Sequence, residues 1–150
     1  MRTLVLSLLL APTFALAAGS SVKFPNLPSS IGVSAGKKLR VYVPKAELLR
    51  LKPPAAQYQG IPLFNVKLKY KVDGGAVQDL VVAQPHSTGT GGYDGTRGKP
   101  SVSIAVPNGA TRIDYWLEGT SMVAQGYPGD PNHTRYWSNY GRNFKIDVVR

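Results

Sequence analysis

The residues whose types and spacing could do recognition chemistry gather near the C-terminus. Residues 136–149 read YWSNYGRNFKIDVV, which sets Trp137, Asn139 and Asn143 close together in one aromatic loop that leads into a strand. An indole face stacks on the apolar face of a sugar ring, and asparagine amides hydrogen-bond its hydroxyls. Exposed Trp and Tyr beside Asn are therefore what a glycan site requires, and Trp116 or Tyr127 would extend the platform. A local alternative stands beside this: Asn tolerates left-handed backbone angles and bonds its own backbone, so Asn139 and Asn143 would only cap the turn. Each tryptophan would then pack under a loop with its N–H bonded to a carbonyl.

A second constellation is the lysine stripe Lys67, Lys69 and Lys71. Period-two spacing puts all three on one face of a strand, opposite the core, where like charges persist only when water or an anion screens them. If the strand carrying Lys38 and Arg40 lies in the same sheet, a basic surface forms that would bind anionic envelope polysaccharide or lipid head groups. The plainer alternative is that the lysines protect an exposed edge strand from aggregation. No recognised nucleic-acid motif is present, so nucleic acid is not expected as a specific partner.

Catalysis finds little to stand on. There is no GxSxG elbow, no HExxH and no Gly-rich loop between a strand and a helix. The spacings of His86, His133, Asp94, Asp114 and Asp130 match no metal motif. The expectation is a protein that is not an enzyme, with no metal and no cofactor. An enzyme would need two of Asp94, Asp114, Asp130 and His133 to converge on one cleft from distant segments.

These residues must be positioned by a small secreted domain. Residues 1–18 have a basic start at Arg2, an apolar run and an Ala15-Leu16-Ala17 end, the pattern of a cleaved secretory signal, and imply a secreted or periplasmic protein. The apolar run is shorter than the roughly 20 residues that span a bilayer, and no later stretch is apolar enough, so no transmembrane segment is expected. Residues 19–150 then have the length of one ordinary domain. With no cysteine, there is neither a disulfide nor a thiolate metal site, and packing alone must hold the domain. The net charge of +10 is concentrated: residues 23–71 hold ten basic residues and one acid, Glu47. Such an excess keeps a protein soluble and draws anions at long range. Nothing in the sequence fixes an oligomeric state.

The secondary-structure signals are those of strands. The chain holds 16 Gly and 12 Pro, and the one helix-like piece is PKAELLRL at residues 44–51, stopped by Pro53-Pro54. Leu48, Leu49 and Leu51 would cover a core edge. Alternation at two-residue period marks strands around Leu39, Val66–Val72, Val77–Ala83, Ser101–Val106, Ile113–Glu118 and Arg142–Val149, with another near Ile31–Ser34. Asp73-Gly74-Gly75 makes a tight hairpin between the second and third runs. In the run at Ile113–Glu118, Ile113, Tyr115 and Leu117 take one face and Arg112, Asp114, Trp116 and Glu118 the other. Residues 84–100 and 120–139 read as long loops. The expected fold is all-β, an antiparallel immunoglobulin-like sandwich of about seven strands.

The closing run from Tyr136 to Phe144 resembles the aromatic-Asp-Asn-Asn…Asn-Tyr ending of family 21 starch-binding modules, which are immunoglobulin-like β-sandwiches. Residues 38–149 more broadly resemble a family of small secreted bacterial domains of unknown function. That resemblance is carried by Leu49-Arg50-Leu51, by the Tyr-x-Val-Asp-Gly-Gly hairpin at Tyr70–Gly75 and by the aromatic close. Three features depart from these patterns: the family's cysteines are missing, Ser138 stands for Asp and Phe144 for Tyr. The Asn-rich turn is also one residue shorter than in the starch-binding modules. The starch-module resemblance implies that Trp137, Asn139 and Asn143 contact sugar. Together these readings make the expected function that of a secreted, non-catalytic, carbohydrate-binding module, with anion binding through the lysine face as the alternative.

Overall fold

A computed structural model of the chain describes residues 21–23, 33–99, 101–123, 132–137 and 143–149. The leader read in residues 1–18 lies outside them, as do Tyr127 and Asn139. In chain order the elements are β1 (Ser21–Lys23), β2 (Val33–Ser34), β3 (Lys38–Tyr42), α1 (Lys45–Arg50), β4 (Gln57–Tyr58), β5 (Ile61–Pro62) and β6 (Phe64–Val72). They continue with β7 (Gln78–Ser87), β8 (Tyr93–Gly98), β9 (Ser101–Ala105), β10 (Arg112–Ser121), β11 (Thr134–Trp137) and β12 (Phe144–Val149). The fold is all-β, as the alternation predicts.

There are more strands than about seven, for two physical reasons. β2, β4 and β5 have two residues each, too few to show a period. β8 and β11 lie in stretches whose Gly, Thr and polar content reads as loop. Residues 84–98 are in fact mostly hairpin, with β7 running on to Ser87 and β8 returning from Tyr93. The strand order through the larger sheet is β2-β12-β10-β6-β7-β8, with β11 also on β10; a smaller sheet runs β1-β3-β9. Two short pairings, β1 with β3 and β2 with β12, are parallel, and every other pairing is antiparallel.

Both sheets feed one core. Leu39, Val41, Val102 and Ile104 from the smaller sheet join Val66, Leu68, Ile113, Tyr115, Leu117 and Ile146 from the larger one. Phe144 and Val148 pack against this cluster, as the C-terminal alternation requires. Phe144 lies opposite Tyr115 in register, with ring centroids 5.5 Å apart. Burial pushes the Tyr115 phenol well above its ordinary pKa.

The short helix is held by backbone proximity. Pro44 precedes it, Leu48 and Leu51 are buried, and Leu49, expected at the core edge, is instead 55% exposed. At six residues, α1 is too short to be stable alone and depends on this docking. Its end rests on Gly119 of β10, where a Cβ would run into the Leu51 carbonyl; Leu48 likewise lies over Gly98 of β8. Gly119→Ala should therefore cost about 1–3 kcal/mol in urea unfolding, the range for overpacking. Gly92→Ala, whose Cβ would meet Thr88 Oγ1 at an ordinary 3.5 Å, should stay within about 0.5 kcal/mol of the parent. Equal effects would show that the helix contact is not tight.

The Asp73-Gly74 turn is as expected. Both residues have positive φ, 48° and 73°, and Gly75 N–H donates to the Val72 carbonyl at 2.9 Å. These are the features of a type I′ turn, with the β6–β7 pairing beginning at Tyr70 opposite Gln78. The Asp73 carboxylate also accepts from the Thr111 hydroxyl and from the backbone N–H groups of Thr111 and Arg112, tying the turn to the start of β10. These bonds, the Thr111 hydroxyl first, hold its carboxyl below the usual aspartate value. A depressed folded pKa stabilises above the unfolded value of about 3.9 and is lost as pH falls through the folded one. Asp73→Asn should thus melt below the parent at neutral pH, and the gap should close in acid below about pH 4. A gap that persists unchanged in acid would contradict this.

Candidate functional site: a cleft between the helix and β8

The segments that close the fold also leave a concavity. Thr96 of β8 accepts a hydrogen bond from the Phe64 N–H at 3.0 Å, and its hydroxyl lies 3.0 and 3.2 Å from the Pro62 and Phe64 carbonyls. This clasp draws β8 toward the start of β6, so the larger sheet curls. A bulge at Val82 of β7, where Val66 pairs with Ala83 and Lys67 with Val81, assists the bend. Between the curled edge and α1 lies a cleft of about 930 Å³. Its walls are Tyr42, Val43 and Pro44 after β3, Lys45, Leu48 and Leu49 of α1, Pro62 and Phe64, and residues 95–99.

The chemistry of the cleft is apolar below and cationic at the rim. Val43, Leu48 and Phe64 are buried beneath it, while Leu49 and Tyr42 stay exposed at its lip. Lys45, Arg97 and Lys99 supply charge. Arg97 donates to Asp94 at 2.7 Å. Lys45 and Lys99 have no ion-pair partner among the described residues. Among the described residues no carboxylate lines the cleft.

The predicted site residues fall elsewhere. Trp116 is half-buried on β10, on the face opposite the core, in register with Lys69. β12 pairs with β10 as far as Tyr115 opposite Phe144, and β11 takes over at Leu117 opposite Trp137. Trp116, Trp137 and Asn143 thus come to one handover on β10. Asn143 has a φ of 58°, the left-handed conformation that the turn-capping alternative foresees.

The lysine stripe does point away from the core, but its surroundings differ from both readings. β6 lies between β7 and β10, so it is no edge strand, and β3 with Lys38 and Arg40 belongs to the other sheet. Lys67 pairs with Asp79 at 2.9 Å and Lys69 with Glu118 at 3.7 Å, while Lys71 lies opposite Asp114 in register. Carboxylates on the flanking strands screen the stripe. Sequence reasoning missed them because cross-strand register is not visible in one strand.

Two of the titratable candidates, Asp94 and Asp114, do not converge. Asp94 on β8 and Asp114 on β10 are separated by β7 and β6. Asp94 instead meets His86 at 3.0 Å, with Arg97 on its other oxygen. Partial desolvation acts to raise its pKa; the His86 hydrogen bond and the Arg97 charge more than offset it, leaving the carboxyl below the usual aspartate value. A guanidinium thus occupies the oxygen that a metal would share. Among the described residues no group of three His, Cys, Asp or Glu could hold a metal ion. Asp130 lies outside the described residues.

A family model described as a family of unknown function (DUF6209) matches residues 29–149. The chain belongs to this family. Its span runs from before β2 to the end of β12, so the cleft and the Trp116 handover both lie inside the DUF6209 domain. No curated protein and no solved structure matches the chain. No helix among the described residues is long and apolar enough to cross a membrane.

Proposed function

We propose that this DUF6209 protein is a secreted, non-catalytic binding module whose ligand lies in the cleft between α1 and β8. The observation that carries this reading is the cleft's size and build: about 930 Å³, apolar beneath and cationic at the rim. Small-molecule sites typically enclose about 300–1,000 Å³ with an apolar lining and a few placed polar groups. Among the described residues the lining offers no imidazole or carboxylate to move a proton, and the Thr96 hydroxyl is committed to the backbone of Pro62 and Phe64. Walls fixed by the Leu48–Gly98 contact and the Thr96 clasp favour a pre-formed site.

A second reading is glycan binding at the Trp116 handover, and the half-exposed indole beside Asn143 favours it. Aromatic stacking tolerates salt. Anion binding by Lys67, Lys69 and Lys71 has less in its favour, since two of the three are already in ion pairs.

One titration separates the first two readings. Nile red, a neutral apolar dye, should brighten on the protein, and Leu49→Asp at the exposed cleft wall should weaken its binding about tenfold, the worth of one buried leucine. Trp116→Ala should leave it unchanged. Dye binding insensitive to Leu49→Asp would overturn the cleft reading. Retention on a glycan array in high salt, lost with Trp116→Ala, would support the second.

A further inference from the structure

We infer that the cleft's ligand is a free single-chain amphiphile with a carboxylate head. Its hydrocarbon would lie over Val43, Leu48, Leu49 and Phe64, and its head would sit at the rim that carries Lys45 and Lys99. This inference rests on the cleft reading above and adds the class of ligand.

Three observations support it. First, the rim's charge has one sign: among the described residues Lys45, Arg97 and Lys99 line the cleft, and no acid does. Asp94 occupies Arg97, which leaves the two lysines without an ion-pair partner among the described residues. A carboxylate there would gain charge-assisted hydrogen bonds. Second, the floor is hydrocarbon. A polyol would need hydroxyl partners deep in the cleft, where the Thr96 hydroxyl is engaged with Pro62 and Phe64; the Tyr42 hydroxyl lies at the exposed lip. Third, the whole chain carries +10, which raises the local concentration of anions around the rim. Burial of a hydrocarbon chain supplies the affinity, and the lysines set the sign of the head.

Isothermal titration of the purified protein with octanoate, 1-octanol and octyltrimethylammonium tests this, since the three share a chain and differ in head charge. Octanoate should bind about tenfold or more tighter than octanol, and the cation weakest. The double variant Lys45→Ala/Lys99→Ala removes two exposed side chains, and its melting curve checks the fold. It should weaken octanoate about tenfold and leave octanol unchanged. Octanol binding as tightly as octanoate, or an octanoate affinity indifferent to the double variant, would overturn the carboxylate inference and leave the cleft reading standing. Binding of none of the three would overturn both.

Discussion

Everything that shapes the cleft depends on how closely α1 approaches the larger sheet. The helix has six residues and cannot be stable by itself, so its position is fixed by what it touches. At its C-terminal end, the Leu51 carbonyl lies against Gly119 with no room for a side chain; one turn earlier, Leu48 lies over Gly98. Two glycines on two strands thus set the height of the helix over the sheet. Because Gly98 belongs to β8, the same contact fixes the curled edge relative to α1. The Thr96 hydroxyl completes the constraint by joining β8 to the residues that open β6. A cleft whose two walls touch at their bases need not be formed by its ligand, which lowers the ordering cost of binding.

Charge is distributed to match. On the outer face of the larger sheet, lysines from β6 alternate with acids from β7 and β10, and Lys67–Asp79 and Lys69–Glu118 are the direct pairs. These pairs are partly exposed and add little to stability. Their effect is to leave that face screened, so the excess positive charge is expressed elsewhere, including Lys45 and Lys99. The Asp73 network serves a different end: it fastens the β6–β7 turn to the chain entering β10 and so holds β6 and β10 in register.

The fold class was legible because period-two alternation is a local signal that survives in β3, β6, β10 and β12. The turn at Asp73-Gly74 was legible too, since the required positive φ values select those residue types. β8 was not, because its YDGTRG sequence lacks the apolar residues that mark a strand; it is held by pairing to β7 and by one threonine hydroxyl. The cleft was hidden for a related reason. It is assembled from three separate stretches of chain, and what makes Gly98 or Thr96 important is a neighbour more than thirty residues away in sequence. Aromatic and lysine patterns drew attention to Trp116 and to Lys67, Lys69 and Lys71 because those signals lie within single strands. Their cross-strand partners were beyond reach.

The central claim is that ligand enters between α1 and β8. Amide chemical-shift mapping during an octanoate titration tests it most directly, because it reports where binding occurs without depending on any variant. The account expects the largest shifts at residues 43–49 and 95–99, with residues 67–71 and Trp116 little changed. Shifts concentrated around Trp116 and Asn143, or along the lysine stripe, with the cleft residues silent, would contradict it.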